Sequence, residues 1–372
     1  MLFSEIIGQQ ELKQRLILSV KNDRISHAQI WLGNPGYGGL PMALAYCQYI
    51  FCEQPGEKDS CGSCASCQKV QKLQHPDLHF AFPVVSAESK ISDKFYPEWR
   101  EQLLSQSYFD LNQWVFKLND KGKNPLIGSE ESLNILKKLR LKSYEGGYKV
   151  MLIWMAEEMN DTCASKLLKI LEEPPEKTLF LLLVENSDRI LSTILSRTQL
   201  LKLRPIDHAS LVDELIHKFD MNLSEADSLA HISEGNWLTA QELAAFGSRN
   251  VVVRENFIDG FRAAYKKDVV AMMKWATNIA ELSAQEQKAF LKYGLHLFRQ
   301  SLLFNYTDDQ LIKLNKEEHD FIKNFSRFVS GNNFEDLYRL FSDSHYHIER
   351  NANNILLFTD LIFQVMRLIH TA

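Results

Sequence analysis

The chain has 372 residues, enough for two or three domains, and its 45% hydrophobic and 24% charged residues exclude a disordered composition. A net charge of −5 gives no general attraction for nucleic acid, so any DNA affinity needs a local basic patch or a partner. No apolar stretch reaches the ~18–20 residues of a membrane span, and the start, MLFSEIIGQQELKQRL, lacks the basic-then-apolar profile of a signal peptide. A cytoplasmic protein with no membrane partner is the expectation.

The apolar run at 28–33 reads as a buried strand, and GNPGYGGLPMA (33–43) follows it. A glycine-rich turn between strand and helix is how a phosphate-cradling loop is built, in the pattern GxxxxGK[ST]. Gly33 and Gly38 stand in register, with Gly36 between them, but Gly39 and Leu40 occupy the lysine and hydroxyl positions. Without the cation and the Mg²⁺-binding oxygen, hydrolysis loses its main electrostatic support. Taken alone, the loop also reads as a turn unrelated to nucleotides, a reading that weakens once the rest of the chain is read. A helix is expected from about Pro41 to Phe51, with proline tolerated in its first turn.

Of six cysteines, Cys52, Cys61, Cys64 and Cys67 follow as C-x8-C-x2-C-x2-C. In a chain without an export signal such clustering points to metal rather than disulfides. The spacing fits a closed tetrahedral Zn²⁺ site, structural because four thiolates leave no open position. Reduced free cysteines are the competing reading. His75 is a rival fourth ligand, although it precedes Pro76 and suits a turn. Cys47 and Cys163 fall within helices and are expected in cores.

A strand is expected near His79–Val85. Residues 86–128 form a long insert rich in aromatic residues, which argues for packing onto something, with no assignable task. A helix starts at Ser129, then KVMLIWMA (149–156), a helix Asp161–Glu173 ended by Pro174-Pro175, TLFLLLV (178–184) and QLLKLR (199–204). Apolar runs alternating with helices predict a parallel sheet covered on both faces. An acidic pair that would bind Mg²⁺ at the end of the first run is replaced by Trp154 and Met155; Glu157 and Glu158 come too late and read as a solvated turn. In STILSRTQ (192–199), Arg197 is expected at an exposed sheet end, by default as an ordinary salt-bridging arginine. Beyond Pro205 the pattern is helical, with stripes Leu291, Leu295, Phe298, Leu302 and Ile355, Phe358, Ile362, Val365, Ile369. Such stripes make helix–helix core or meet partner helices.

The segment 149–199, with LLKILEEPP (167–175) and TILSR (193–197), closely resembles the clamp-loader branch of the AAA+ ATPases. IGQQ (7–10), SHAQIWLG (26–33), the cysteine cluster after the loop's helix and HPDL (75–78) agree. The resemblance implies an α/β AAA+ module over 1–205, carrying the zinc module (about 52–67) and the insert. It also implies a small helical lid at 206–250 and an all-α collar-type oligomerisation domain at 251–372.

Motor subunits of that family carry GKT, an Asp-Glu pair and an arginine in the lid, where this chain places Leu238. The Ser196-Arg197 element is intact. The resemblance therefore implies a non-hydrolysing accessory subunit in DNA replication. ATP would not be bound productively at Gly33, Gly36, Gly38 and Gly39, and Arg197 would be offered in trans to a neighbour's ATP. The implied partners are the gamma/tau motor subunits and the delta subunit, and through the complex the sliding clamp and primer-template DNA. A nucleoid-associated location follows. The alternatives are a gamma/tau-like motor, which requires tight Mg-ATP binding, and a zinc-bearing nucleic-acid adaptor.

Overall fold

The structure is a computed structural model that describes residues 1–85, 89–118, 124–245, 250–306, 316–350 and 352–370. Contacts divide the chain into two compact units, the first Met1–Leu211 with Gly235–Leu238 and the second Val212–Glu234 with Thr239–Ala372.

The first unit runs α1 (Gln10–Lys21), β1 (Ala28–Leu32), α2 (Gly39–Phe51), α3 (Ala65–Gln71) and β2 (Leu78–Ala81). It continues with α4 (Tyr96–Ser105), α5 (Leu111–Lys117), α6 (Ser129–Arg140), β3 (Lys149–Trp154), α7 (Asp161–Glu172), β4 (Thr178–Val184), α8 (Ser192–Leu195) and β5 (Gln199–Lys202). The five strands are all parallel, in the order β2-β3-β4-β1-β5. β4 lies inside the sheet, so its seven residues are all buried and it reads as an unbroken apolar run. Successive residues point to opposite faces. Leu179, Leu181 and Leu183 pack with Trp31 and α2, while Phe180, Leu182 and Val184 pack with α6 and α7. The expected α/β layering with helices on both faces is present.

α7 is amphipathic, is capped by the Asn160 side chain accepting from Cys163 N–H at 2.8 Å, and stops before Pro174. β2 is shorter than expected: Val84 leaves the sheet and exchanges backbone hydrogen bonds with Leu126.

All five strands end their carboxyl termini on one edge, with Leu32 opposite Val184 and Trp154 opposite Leu183. In parallel α/β sheets this is the edge at which ligands are bound. The aromatic insert closes over part of it. Trp99 and Trp114 are fully buried, and Trp114 Nε1 donates to the Pro83 carbonyl at 2.9 Å. Residues 86–88 and 119–123 of the insert lie outside the described residues.

The second unit is helical, as expected beyond Pro205. It holds most of α9 (His208–Phe219), then α10 (Leu223–Ile232), most of α11 (Trp237–Ala245), α12 (Asn250–Lys266) and α13 (Val269–Ala280). α14 (Ala284–Tyr306), α15 (Lys316–Phe325), α16 (Phe334–Glu349) and α17 (Asn354–Leu368) complete it. Phe257 sits at its centre against Phe261, Phe290, Phe298, Phe325 and Phe341. Leu291 and Phe298 of the first stripe are fully buried, as are Phe358, Ile362 and Val365 of the second. Ile355 departs from that stripe: it lies in the first turn of α17 and is 54% exposed, beside exposed Leu356. No described helix is long and apolar enough to cross a membrane.

Candidate functional site

The glycine loop leaves β1 at Gly33, whose N–H donates to the Val184 carbonyl at 3.0 Å. A short turn at Pro35–Tyr37 leads to Gly38, the N-cap of α2, with φ +87°. That left-handed conformation favours glycine. In the first turn Gly39 supplies no cation, Leu40 no hydroxyl, and Pro41 no N–H.

The loop is packed over by the chain's own side chains. A Cβ on Gly36 would lie 1.8 Å from Asn236 Oδ1, and one on Gly33 2.8 Å from Leu203 Cβ. One on Gly39 would meet Leu203 Cδ1 at 3.3 Å. One on Gly38 would lie 2.9 Å from Tyr108 Oη, and Tyr108, from the insert, is buried with its hydroxyl accepting from Ile7 N–H at 3.2 Å. Sequence patterning gives no signal for Tyr108 or Asn236, which reach the loop from far along the chain. Leu238 is buried, and no cation stands at its position.

At the end of β3, Trp154 packs against both Trp99 and Phe109, with ring centroids 5.1 and 5.0 Å away. Met155 is buried, at φ +56°. The expected solvated turn is corrected for Glu157, which is 4% exposed. Its Oε1 accepts from Glu185 N–H at 2.7 Å and Asn186 N–H at 3.1 Å, donors that leave the end of β4 without a ladder partner. Burial raises its carboxyl above the usual carboxylate range. Glu185 is pushed up to about 8, first by burial and then by the charges of Glu157 and Asp110. Glu158 makes a two-pronged pair with the Arg189 guanidinium at 2.6 and 2.9 Å.

The structure brings Cys52, Cys61, Cys64 and Cys67 together, with their sulfurs all within 4.8 Å of one another and Cys61 Sγ 3.9 Å from Cys67 Sγ. A tetrahedral site with metal–sulfur bonds of about 2.3 Å needs sulfurs roughly 3.8 Å apart. Backbone N–H groups already point at the sulfurs: Cys61 to Cys52 and Cys64 to Cys61, both at 3.3 Å, and Cys67 to Cys64 at 3.4 Å. Amides of Ser63 and Cys64 bring the Cys61 thiol down to about 6, whereas burial pushes Cys52 and Cys67 up. The cluster is fit to hold a thiolate-seeking metal ion.

His75 is placed otherwise. Its Nδ1 accepts from Asp77 N–H at 3.2 Å within the His75-Pro76-Asp77 turn, and its ring stacks on Phe51 at 3.9 Å. Cys47 and Cys163 are buried in α2 and α7.

Arg197 follows α8 at the margin of an open hollow of about 450 Å³ that it lines with His27, Leu171, Glu172 and Ser196. Its Nη1 donates to the Thr193 carbonyl at 2.9 Å and to Ser196 Oγ at 3.2 Å. Its Nε and Nη2 face the Glu172 carboxylate. Ser196 Oγ donates back to Thr193 O at 3.0 Å. The default salt bridge is thus present, on a side chain 35% exposed.

The family described as "DNA polymerase III, delta subunit" matches residues 8–207. The DNA polymerase III subunit delta' of Escherichia coli is 27% identical over 289 residues, covering 78% of this chain and 73% of that protein. Its counterpart in Bacillus subtilis is 29% identical over 236 residues, covering 63% of this chain and 59% of that protein. A DNA polymerase III gamma subunit-related protein from Thermotoga maritima aligns over 97% of this chain and 100% of its own, at 14% identity and a TM-score of 0.42.

Proposed function

The chain belongs to the DNA polymerase III delta-subunit family and is a clamp-loader subunit of the delta-prime type, and from this premise we propose that it hydrolyses no ATP itself and offers Arg197 to a neighbour's ATP. The contact of Tyr108 with Gly38 carries the non-hydrolysing half of this reading. It puts a buried phenol directly against the glycine turn that begins α2. Missing ligands at Gly39, Leu40, Trp154 and Met155 act in the same direction. What persists is the strand–turn–helix corner, because the sheet edge needs it.

Arg197 supports the other half. A guanidinium at an exposed sheet end, anchored through Nη1 to Thr193 and Ser196, can stabilise charge developing on a transferred phosphoryl group in a neighbouring site. Ser196 orients it. The partners in this reading are the gamma/tau motor and delta subunits, and through them the sliding clamp and primer-template DNA. Residues 206–250 act as a lid and 251–372 as an oligomerisation collar. The cytoplasm, at the nucleoid, is where it works.

Cys52, Cys61, Cys64 and Cys67 would hold one Zn²⁺. Bound there, it would cross-link the segment after α2, with no part in turnover.

The test is reconstitution with the cognate motor subunit, reading DNA-stimulated ATPase activity with wild-type chain and with Arg197→Ala. Equal turnover with the variant fully incorporated would remove the trans role. Steady ATP turnover by the isolated chain would remove the non-hydrolysing one.

A further inference from the structure

Glu172 has no role in the reading above, and its position is locally unfavourable. It is the last residue of α7, where the helix presents its negative dipole end and a carboxylate is disfavoured. Pro174 restricts Glu173 before it, so the helix stops at Glu172. Its compensation is Arg197, whose Nε and Nη2 both turn toward the carboxylate. These are the forked donors with which a guanidinium grips a carboxylate or a phosphate. Nη1 is engaged separately, on Thr193 O and Ser196 Oγ. His27 is the other titratable group at the hollow, and its Nε2 meets the Leu171 carbonyl at 3.1 Å.

We propose that Glu172 is a positioning residue, the resting partner that occupies the phosphate-gripping edge of Arg197 until a phosphate of a neighbouring subunit displaces it. This rests on the trans role of Arg197. The carboxylate and the phosphate compete for the same two nitrogens, so they exclude each other. Because Nη1 keeps its anchors on Thr193 and Ser196, the guanidinium stays oriented while the partner is exchanged. The pair is about half exposed on the Glu172 side, so the phosphate displaces it at modest cost.

The experiment is ATP turnover by the reconstituted motor complex without DNA, comparing wild type, Glu172→Gln, Arg197→Ala and the double variant. Glutamine keeps the shape and removes the competing charge. An exposed pair shifts such an equilibrium by a factor of ~2–5, so Glu172→Gln is expected to raise kcat/KM for ATP by that factor. The double variant is expected to match Arg197→Ala. Unchanged or lower kcat/KM in Glu172→Gln, with Arg197→Ala still impaired, overturns the resting-partner role alone. A gain from Glu172→Gln that persists in the double variant also overturns it. Wild-type turnover in Arg197→Ala overturns the trans role and this inference together.

Discussion

Tyr108 lies against Gly38: its hydroxyl is 2.9 Å from the point a Cβ on Gly38 would occupy, while accepting from Ile7 N–H at 3.2 Å. One side chain thus ties the N-terminal segment to the turn before α2. Behind it Phe109 and Trp99 pack on Trp154, at the strand end where a carboxylate would serve a nucleotide. Loss of the ligands and filling of the space go together. A glycine turn with no cation or hydroxyl beside it is free to be packed as core.

The isolated chain is expected neither to hydrolyse ATP nor to need it for folding. Gly39→Lys alone should not create a hydrolase, because Mg²⁺ would still lack protein ligands and Tyr108 would still cover Gly38. Steady turnover that follows the protein through successive columns would defeat this.

Tyr108→Phe keeps the ring and removes the acceptor for the buried Ile7 N–H. An orphaned buried donor costs about 1–3 kcal/mol, so a fall of that order in urea-unfolding stability is expected. Gly38→Ala should cost more, adding the strain of a Cβ at φ +87° to the clash with Tyr108. Wild-type midpoints for both would contradict the packing described.

The parallel sheet was legible because its central strands are buried on both faces and so appear as apolar runs. TLFLLLV is β4 from end to end. The cysteine cluster was legible because its four members are close in sequence. Tyr108 over Gly38 was not, since that contact joins positions far apart and leaves no periodic trace. Glu157 was missed for another reason. Its burial answers the unpaired N–H groups of Glu185 and Asn186, which only the folded sheet edge reveals. For Arg197 the ordinary salt bridge and the reach toward a neighbour predicted the same exposed place, and the structure supplies the specific partner, Glu172.

Glu185 gives a pH dependence with a defined sign. Burial and the neighbouring charges hold its carboxyl at about 8 in the fold, well above the usual carboxylate range, so the folded chain keeps a proton there that the unfolded chain has lost. Stability from this group is complete at low pH and is lost as pH rises toward 8, at no more than about 1.4 kcal/mol per pH unit. Glu157 shifts the same way. Glu185→Gln should flatten the decline between pH 6 and 8, read from denaturant midpoints. A parallel decline in the variant would assign the effect elsewhere.

Purified protein should carry about one zinc, on Cys52, Cys61, Cys64 and Cys67. Cys64→Ser should release metal and loosen the segment around α3, with little effect on the second unit. Metal analysis without chelators checks the first statement. Full retention of zinc by the variant would require another ligand set.

Arg197→Ala should leave folding nearly unchanged, because the side chain is a third exposed and its pair with Glu172 is a surface pair worth under about 1 kcal/mol. In the assembled complex it should lower ATP turnover without preventing assembly, since only the motor site facing this subunit loses its guanidinium. Arg197→Lys should be almost as damaging. An ammonium cannot keep Nη1-type contacts to Thr193 and Ser196 while presenting two further nitrogens outward. If Arg197 served only the local pair, the variant would show the same small change in thermal stability and unchanged turnover. ATPase rates of the reconstituted complex separate the two roles, with melting curves confirming that each variant is folded.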